Sequence, residues 1–304
     1  MMKFGYSPKL ASGAVAAGGT LGSLIPPSIL FILYGVFTEI SVSRLFISGI
    51  IPGIMTLVGY LIVTLVWARR FPEDAPARAD HTTLGEKMNA AARAWPLLAL
   101  FFLVVGGLYF GVFTPTESAA AGAVLTGVAG WALKRLSWQT MLESFSETVS
   151  QTATIFSIAI GAKVFISFTA LTAIPTRLLE NITTLGLSAG MVLMILVLLY
   201  IVLGMFLDSI GILLLTLPLV TPVVESLNLD LLWFGVIVVK LLEIGLITPP
   251  IGLNVFVIKS AVGDRMPLET IFHGIMAFLI SDVIVLGLLL AFPLLSQWLP
   301  NLMN

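Results

Sequence analysis

The chain has 304 residues, 58% of them hydrophobic and 10% charged, with 15 Lys and Arg against 16 Asp and Glu for a formal net charge of −1. A soluble domain carries roughly 25% charged residues, so this composition, with a mean hydropathy of +1.08, points to a chain solvated mostly by lipid, and its near-neutral charge gives no basis for nucleic-acid binding. The absence of cysteine excludes disulfides, thiolate metal sites and cysteine catalysis, and the two histidines, His81 and His273, form no HExxH site.

A membrane-spanning helix needs about 20 apolar residues. In chain order the candidates are residues 10–35, 45–68, 96–112, 117–133, 151–172, 188–226, 230–262 and 268–295. The first, 10–35, is interrupted by Pro26-Pro27 in "GTLGSLIPPSIL". Proline cannot donate to the helical ladder and clashes with the preceding turn. The polar stretch 69–95 follows the second span and holds Arg69, Arg70, Arg78, Lys87 and Arg93. Such a cluster places the loop in the cytoplasm, together with Lys134 and Arg135 two spans later.

Between those basic groups, "GVFTPTESAAAGAV" reads as a loop feeding a helix. Thr114 is the cap, Pro115 the first helical residue and Glu117 an acid in the first turn. The alanines and glycines beyond suit close helix packing, so this segment is scaffold. Residues 137–150 place Trp138, Met141, Leu142 and Phe145 on one helical face, which suits either a helix along the membrane interface or a linker helix packed on protein. Residues 188–226 form two apolar halves around "GMFLDSIG" and read as a re-entrant hairpin. Asp208 at its turn either binds a cation or caps the second half, with Gly204, Ser209 and Gly211 beside it.

The first interruption recurs. "GSLIPPSIL" (Gly22 to Leu30) aligns with "GLITPPIGL" (Gly245 to Leu253), matching Gly22 to Gly245 and Pro26-Pro27 to Pro249-Pro250. An odd number of crossings separates the two, so the copies run antiparallel through the bilayer. Paired Pro-interrupted spans in inverted repeats point to a transporter binding site at the midplane, where unwound backbone lines a cavity. The alternative is two proline kinks. The candidate ion and substrate site comprises Gly22, Ser23, Pro26, Pro27, Ser28, Gly204, Asp208, Ser209, Gly245, Thr248, Pro249, Pro250, Gly252 and Asn254. Of these, Ser23, Ser28, Asp208, Thr248 and Asn254 carry oxygens suited to Na⁺, although Ser and Thr in helices also bond the preceding turn. Lys240 and Glu243, three apart, read as a structural ion pair. Asp282 serves packing or a subunit contact, and Lys163 either meets an anion or snorkels to an interface.

These motifs, "GTLGSLIPPSI", "GVFTPTESAAAGA", "GMFLDS" followed by "LPLVTPV", and "EIGLITPPIGLNVFV", occur in the order seen in the large membrane subunit of TRAP (tripartite ATP-independent periplasmic) transporters, which the chain resembles from about Phe4 to Pro300. The resemblance implies an all-α polytopic protein of the bacterial inner membrane, an inverted-repeat transporter of elevator type with broken helices. It implies Na⁺ as coupling ion, no other cofactor and a carboxylate substrate. It also implies two partners, a periplasmic substrate-binding protein and a small four-helix membrane subunit. The expected divisions are 1–68 (end of the first repeat), 69–95 (cytoplasmic loop), 96–187 (scaffold spans and arm helix) and 188–304 (hairpin, second broken span and last span, the transport domain). The first half is shorter than the second by about 130 residues if the halves are repeats. The family's inward hairpin is therefore expected to precede Met1, and the chain by itself is expected to be N-terminally incomplete and inactive. Two other readings are a non-transporting assembly subunit and an intramembrane enzyme. The second lacks any paired acid, nucleophile–base or metal motif at membrane depth.

Overall fold

The computed structural model describes residues 1–76, 83, 85, 88 and 95–302. Among them there are helices and loops and no strands. Contacts divide the chain into two compact units, Met1–Ala77 with Ile160–Asn304, and Arg78–Ala159.

In the larger unit the first interrupted segment becomes α1 (Pro8–Thr20) and α2 (Ile29–Thr38). A 3₁₀ turn at Leu21–Ser23 and a non-helical stretch through Pro26 and Pro27 separate them. Helices α3 (Val42–Ser48) and α4 (Ile50–Arg70) follow. One face of α4 buries Pro52, Gly53, Thr56 and Tyr60, while Leu57, Leu61 and Leu65 stay exposed. Apolar side chains facing outward from a polar-lined contact are what a lipid-solvated helix requires.

The smaller unit holds α5 (Trp95–Tyr109), α6 (Pro115–Ala132) and the start of α7 (Trp138–Leu171). The capping box at Thr114 and Glu117 forms as the sequence indicates: Glu117 N donates to Thr114 Oγ1 at 3.3 Å and Thr114 N to Glu117 Oε2 at 2.9 Å. Ser118 ties α6 to α5 through the Val104 carbonyl at 3.0 Å. The small residues after it are mostly exposed rather than packed within this unit.

Helix α7 corrects the division of 137–150 from 151–172. Both belong to one 34-residue helix. Ser144, Thr148, Thr154 and Ser157 each donate to the carbonyl four residues back, so this polar start is internally satisfied and the helix does not break.

The rest of the larger unit continues with α8 (Ile174–Thr184), α9 (Ala189–Phe206), α10 (Ser209–Ser226), α11 (Leu231–Ile247), α12 (Leu253–Val262), α13 (Leu268–Ala291) and α14 (Leu294–Asn301). The expected hairpin is α9 and α10, and the second interrupted segment is α11 and α12. Nearly all of α11 is buried, as befits a helix apolar on every side. Gly235 admits the Tyr34 ring, whose hydroxyl donates to the Leu231 carbonyl at 2.7 Å. Both Pro-Pro bonds, 26–27 and 249–250, are cis.

Among the described residues, five helical stretches can cross a membrane by length and composition: Val42–Arg70, Trp138–Leu171, Ala189–Phe206, Ser209–Ser226 and Leu268–Ala291. The interrupted segments fall outside that set because each half is short. The polar stretch 69–95 lies mostly outside the described residues.

Candidate functional site

The site begins where helices stop. At the first break, Ser28 is buried and caps α2, accepting from Phe31 N at 3.4 Å, while its own hydroxyl donates to the Ser23 carbonyl. Its oxygen therefore keeps one lone pair for a cation. Gly22 is exposed, and a Cβ there would meet nothing within 4 Å. Pro26 is buried and Pro27 exposed.

The second break is built differently. Thr248 ends α11 and donates to the Ile244 carbonyl at 2.6 Å, which leaves its lone pairs available. Gly252, at φ +58, starts α12 in a left-handed conformation that a side chain would strain. Asn254 lies in the first turn of α12, its Nδ2 3.7 Å from the position a Cβ would take on Gly19. An element after the second break thus reaches the end of α1, immediately before the first.

The hairpin supplies the third part. Asp208 is exposed and caps α10, its Oδ2 accepting from Ile210 N at 3.0 Å and Gly211 N at 3.2 Å. Of the two readings raised for this residue, the cap is the one that this geometry forms. Ser209 is buried beside it. Gly204 and Gly245 are in backbone contact: a Cβ on Gly245 would lie 2.6 Å from Gly204 Cα. Because Tyr200 packs on Phe234 and Gly204 on Gly245, α9 and α11 run the same way. Asp208 and Thr248 consequently follow this contact at the same end.

Register also relates the two breaks. Gly274 packs against Lys9 and Gly13, Phe278 shares a cluster with Ala17, and Thr20 reaches Asp282 through Tyr60, so α1 and α13 run together. Trp233 Nε1 donates to the Leu289 carbonyl at 2.8 Å and Lys240 pairs with Asp282, so α11 runs against α13. The helices that lead into the two breaks therefore point in opposite directions.

One cluster escapes sequence reasoning. Lys240 Nζ donates to Glu243 Oε2 at 2.8 Å, as its spacing suggests, but also to Asp282 Oδ1 at 2.6 Å and Thr56 Oγ1 at 3.0 Å. Tyr60 completes it by donating to Asp282 Oδ2 at 2.7 Å. All three charged side chains are fully buried. Asp282 is therefore an internal ion-pair partner, which narrows its two sequence readings to packing. Its signal was an acid in mid-span, where only a partner makes it tolerable. Lys163 is exposed and lines a cavity of about 390 Å³ with Glu39, Pro218 and Pro222. No group of three or more metal-binding acids or histidines occurs among the described residues.

Comparison with known proteins agrees with this architecture. The profile of the family described as "Tripartite ATP-independent periplasmic transporter, DctM component" matches residues 1–295. The C4-dicarboxylate TRAP transporter large permease protein DctM of Pseudomonas aeruginosa is 34% identical over 303 residues, covering 99% of this chain and 70% of that protein. The sialic acid TRAP transporter large permease protein SiaM of Vibrio cholerae is 31% identical over 98% of this chain and 69% of its own length. The sialic acid TRAP transporter permease protein SiaT of Haemophilus influenzae is 31% identical, with all of this chain matching 48% of that longer protein.

Proposed function

This chain belongs to the family of DctM components of tripartite ATP-independent periplasmic transporters, and on that premise we propose that it is the permease of a Na⁺-coupled importer of organic acids. Membership, with the apolar helices, makes it a multi-pass membrane transport protein and not an enzyme. The relatives carry C4-dicarboxylates and sialic acid by name. A carboxylate is common to those substrates, and it is the group we assign to this site.

The observation that carries the reading is the meeting of two helix breaks with a hairpin tip in one compact unit. Helix C-termini at Thr20 and Ile247 present the negative end of a dipole, which suits Na⁺. Helix N-termini at Ile29 and Leu253, unlike that of α10 with its Asp208 cap, carry no carboxylate of their own and suit one from a substrate. Thr248, Ser28, Ser23, Asn254 and the free oxygen of Asp208 add side-chain ligands. The opposed lead-in helices support an inverted repeat, and a mobile domain carrying both breaks past a scaffold of 96–187 is the elevator reading. A periplasmic binding protein would deliver the substrate, and a small membrane subunit would complete the scaffold, in the bacterial inner membrane.

The test is uptake by the completed transporter in liposomes, with its two partner proteins. Uptake requires an inward Na⁺ gradient, and Thr248→Val raises the Na⁺ concentration needed for half-maximal uptake. Full uptake without Na⁺, on a proton gradient alone, overturns the coupling.

A further inference from the structure

The buried cluster does not balance its charge. Lys240 supplies one positive group, and Glu243 and Asp282 supply two negative ones, all fully removed from solvent. An ammonium has three protons to donate, and Lys240 spends them on Thr56, Glu243 and Asp282. Asp282 is satisfied at both oxygens, by Lys240 and Tyr60. Glu243 is not: Oε1 is buried and has no hydrogen-bond partner.

The hydroxyls of the same network are already spent. Thr20 donates to the Ala17 carbonyl at 2.8 Å, and Tyr60, 3.3 Å from Thr20, donates to Asp282. Of the ionisable groups on neighbouring helices, Tyr34 donates to the Leu231 carbonyl, Tyr200 bonds Thr216 and Lys259 donates to the Gly263 and Met266 carbonyls; Lys9, Arg69, Arg70, Glu269 and His273 lie toward the ends of their helices. An uncompensated carboxylate in this setting is unfavourable.

We propose that the Lys240–Glu243–Asp282 cluster binds one proton, held on Glu243 Oε1, so that the cluster is neutral as a whole. A proton is the smallest cation that neutralises the site. The proton stays bound at neutral pH because releasing it leaves a second buried negative charge. This proposal concerns the folded chain itself and stands independently of what is transported.

Infrared difference spectroscopy on the purified full chain in lipid nanodiscs tests it, because a protonated carboxyl and a carboxylate absorb in separate regions. A protonated-carboxyl band, shifting in D₂O, is expected at neutral pH in the wild type and is lost in Glu243→Gln. Asp282→Asn removes one of the two acids, leaves Lys240 balanced by Glu243 alone and is expected to abolish the band as well. Should Glu243→Gln not fold, the wild-type band and its loss in Asp282→Asn still decide the question. No such band in the wild type overturns the proposal, as does a band that Glu243→Gln or Asp282→Asn leaves unchanged. A carboxylate band that responds to added NaCl in the wild type and not in Glu243→Gln would show Na⁺ in the proton's place, and equally overturns it.

Discussion

Asp208 shows how far a single residue can be read. A lone acid between two apolar runs marks a turn, and the Asp-Ser pair marks the start of a helix. Both are legible without coordinates, and the structure makes Asp208 the cap of α10. Its charge is a separate matter. We predict that Asp208→Ala destabilises the hairpin by about 1 kcal/mol, the usual worth of a helix cap, seen as a lower melting temperature in detergent. Asp208→Asn keeps an accepting oxygen and leaves melting almost unchanged. If the charge also serves the ion or substrate, uptake falls in Asp208→Asn alone, without that stability loss. Lys240 is the opposite case. Nothing local announces Asp282 as its partner, because that acid lies 42 residues away on another helix. Only the i, i+3 spacing to Glu243 was legible. Removing the ammonium leaves two buried acids sharing one site, so Lys240→Met is predicted to cost about 3–5 kcal/mol. Adding Asp282→Asn to it should recover part of that loss in the same melting assay.

At the scale of elements, the breaks were legible for a physical reason. Two prolines remove two backbone donors in succession, and no apolar context restores them. Their equivalence was less complete than the aligned letters suggested. Gly22 and Gly245 occupy matching positions, yet Gly245 lies against the Gly204 backbone and Gly22 faces open space. Sequence similarity reports a shared backbone path, whereas packing depends on what a third segment, here the hairpin, brings alongside. The difference is measurable. Gly245→Ala forces α9 and α11 apart and is expected to lower thermal stability and abolish uptake. Gly22→Ala, with nothing within 4 Å of the added methyl, should fold as the parent does. Equal damage from both would mean that the alignment, and not the contact, describes the constraint. The continuity of α7 was hidden for a related reason. Its polar first half resembles a surface segment by composition, but hydroxyls that bond their own preceding turn need no water.

For the whole molecule, composition and hydropathy gave the lipid setting, and motif order gave the family. Neither gave the closure of the larger unit, because that depends on contacts between its two ends. Gly13 in α1 packs on Gly274 in α13, and Tyr60 in α4 bonds Asp282 across 222 residues. The consequence concerns biogenesis. Helices α1 and α4 enter the bilayer before the surfaces they pack against are made. Until α13 is inserted, the Tyr60 hydroxyl lacks its acceptor and the flat Gly13 face of α1 has no partner. These helices must wait in the membrane, held by lipid or by other factors, while the segments between them and α13 are synthesised. Arrested chains ending before Leu268 are therefore expected to be labelled by a photoreactive lipid probe within residues 8–20, and chains extended through Ala291 and clear of the ribosome to be protected there. Protection of the shorter chain would mean that α1 finds its place without α13. A helix made later is then the one that commits α1 and α4 to their final positions.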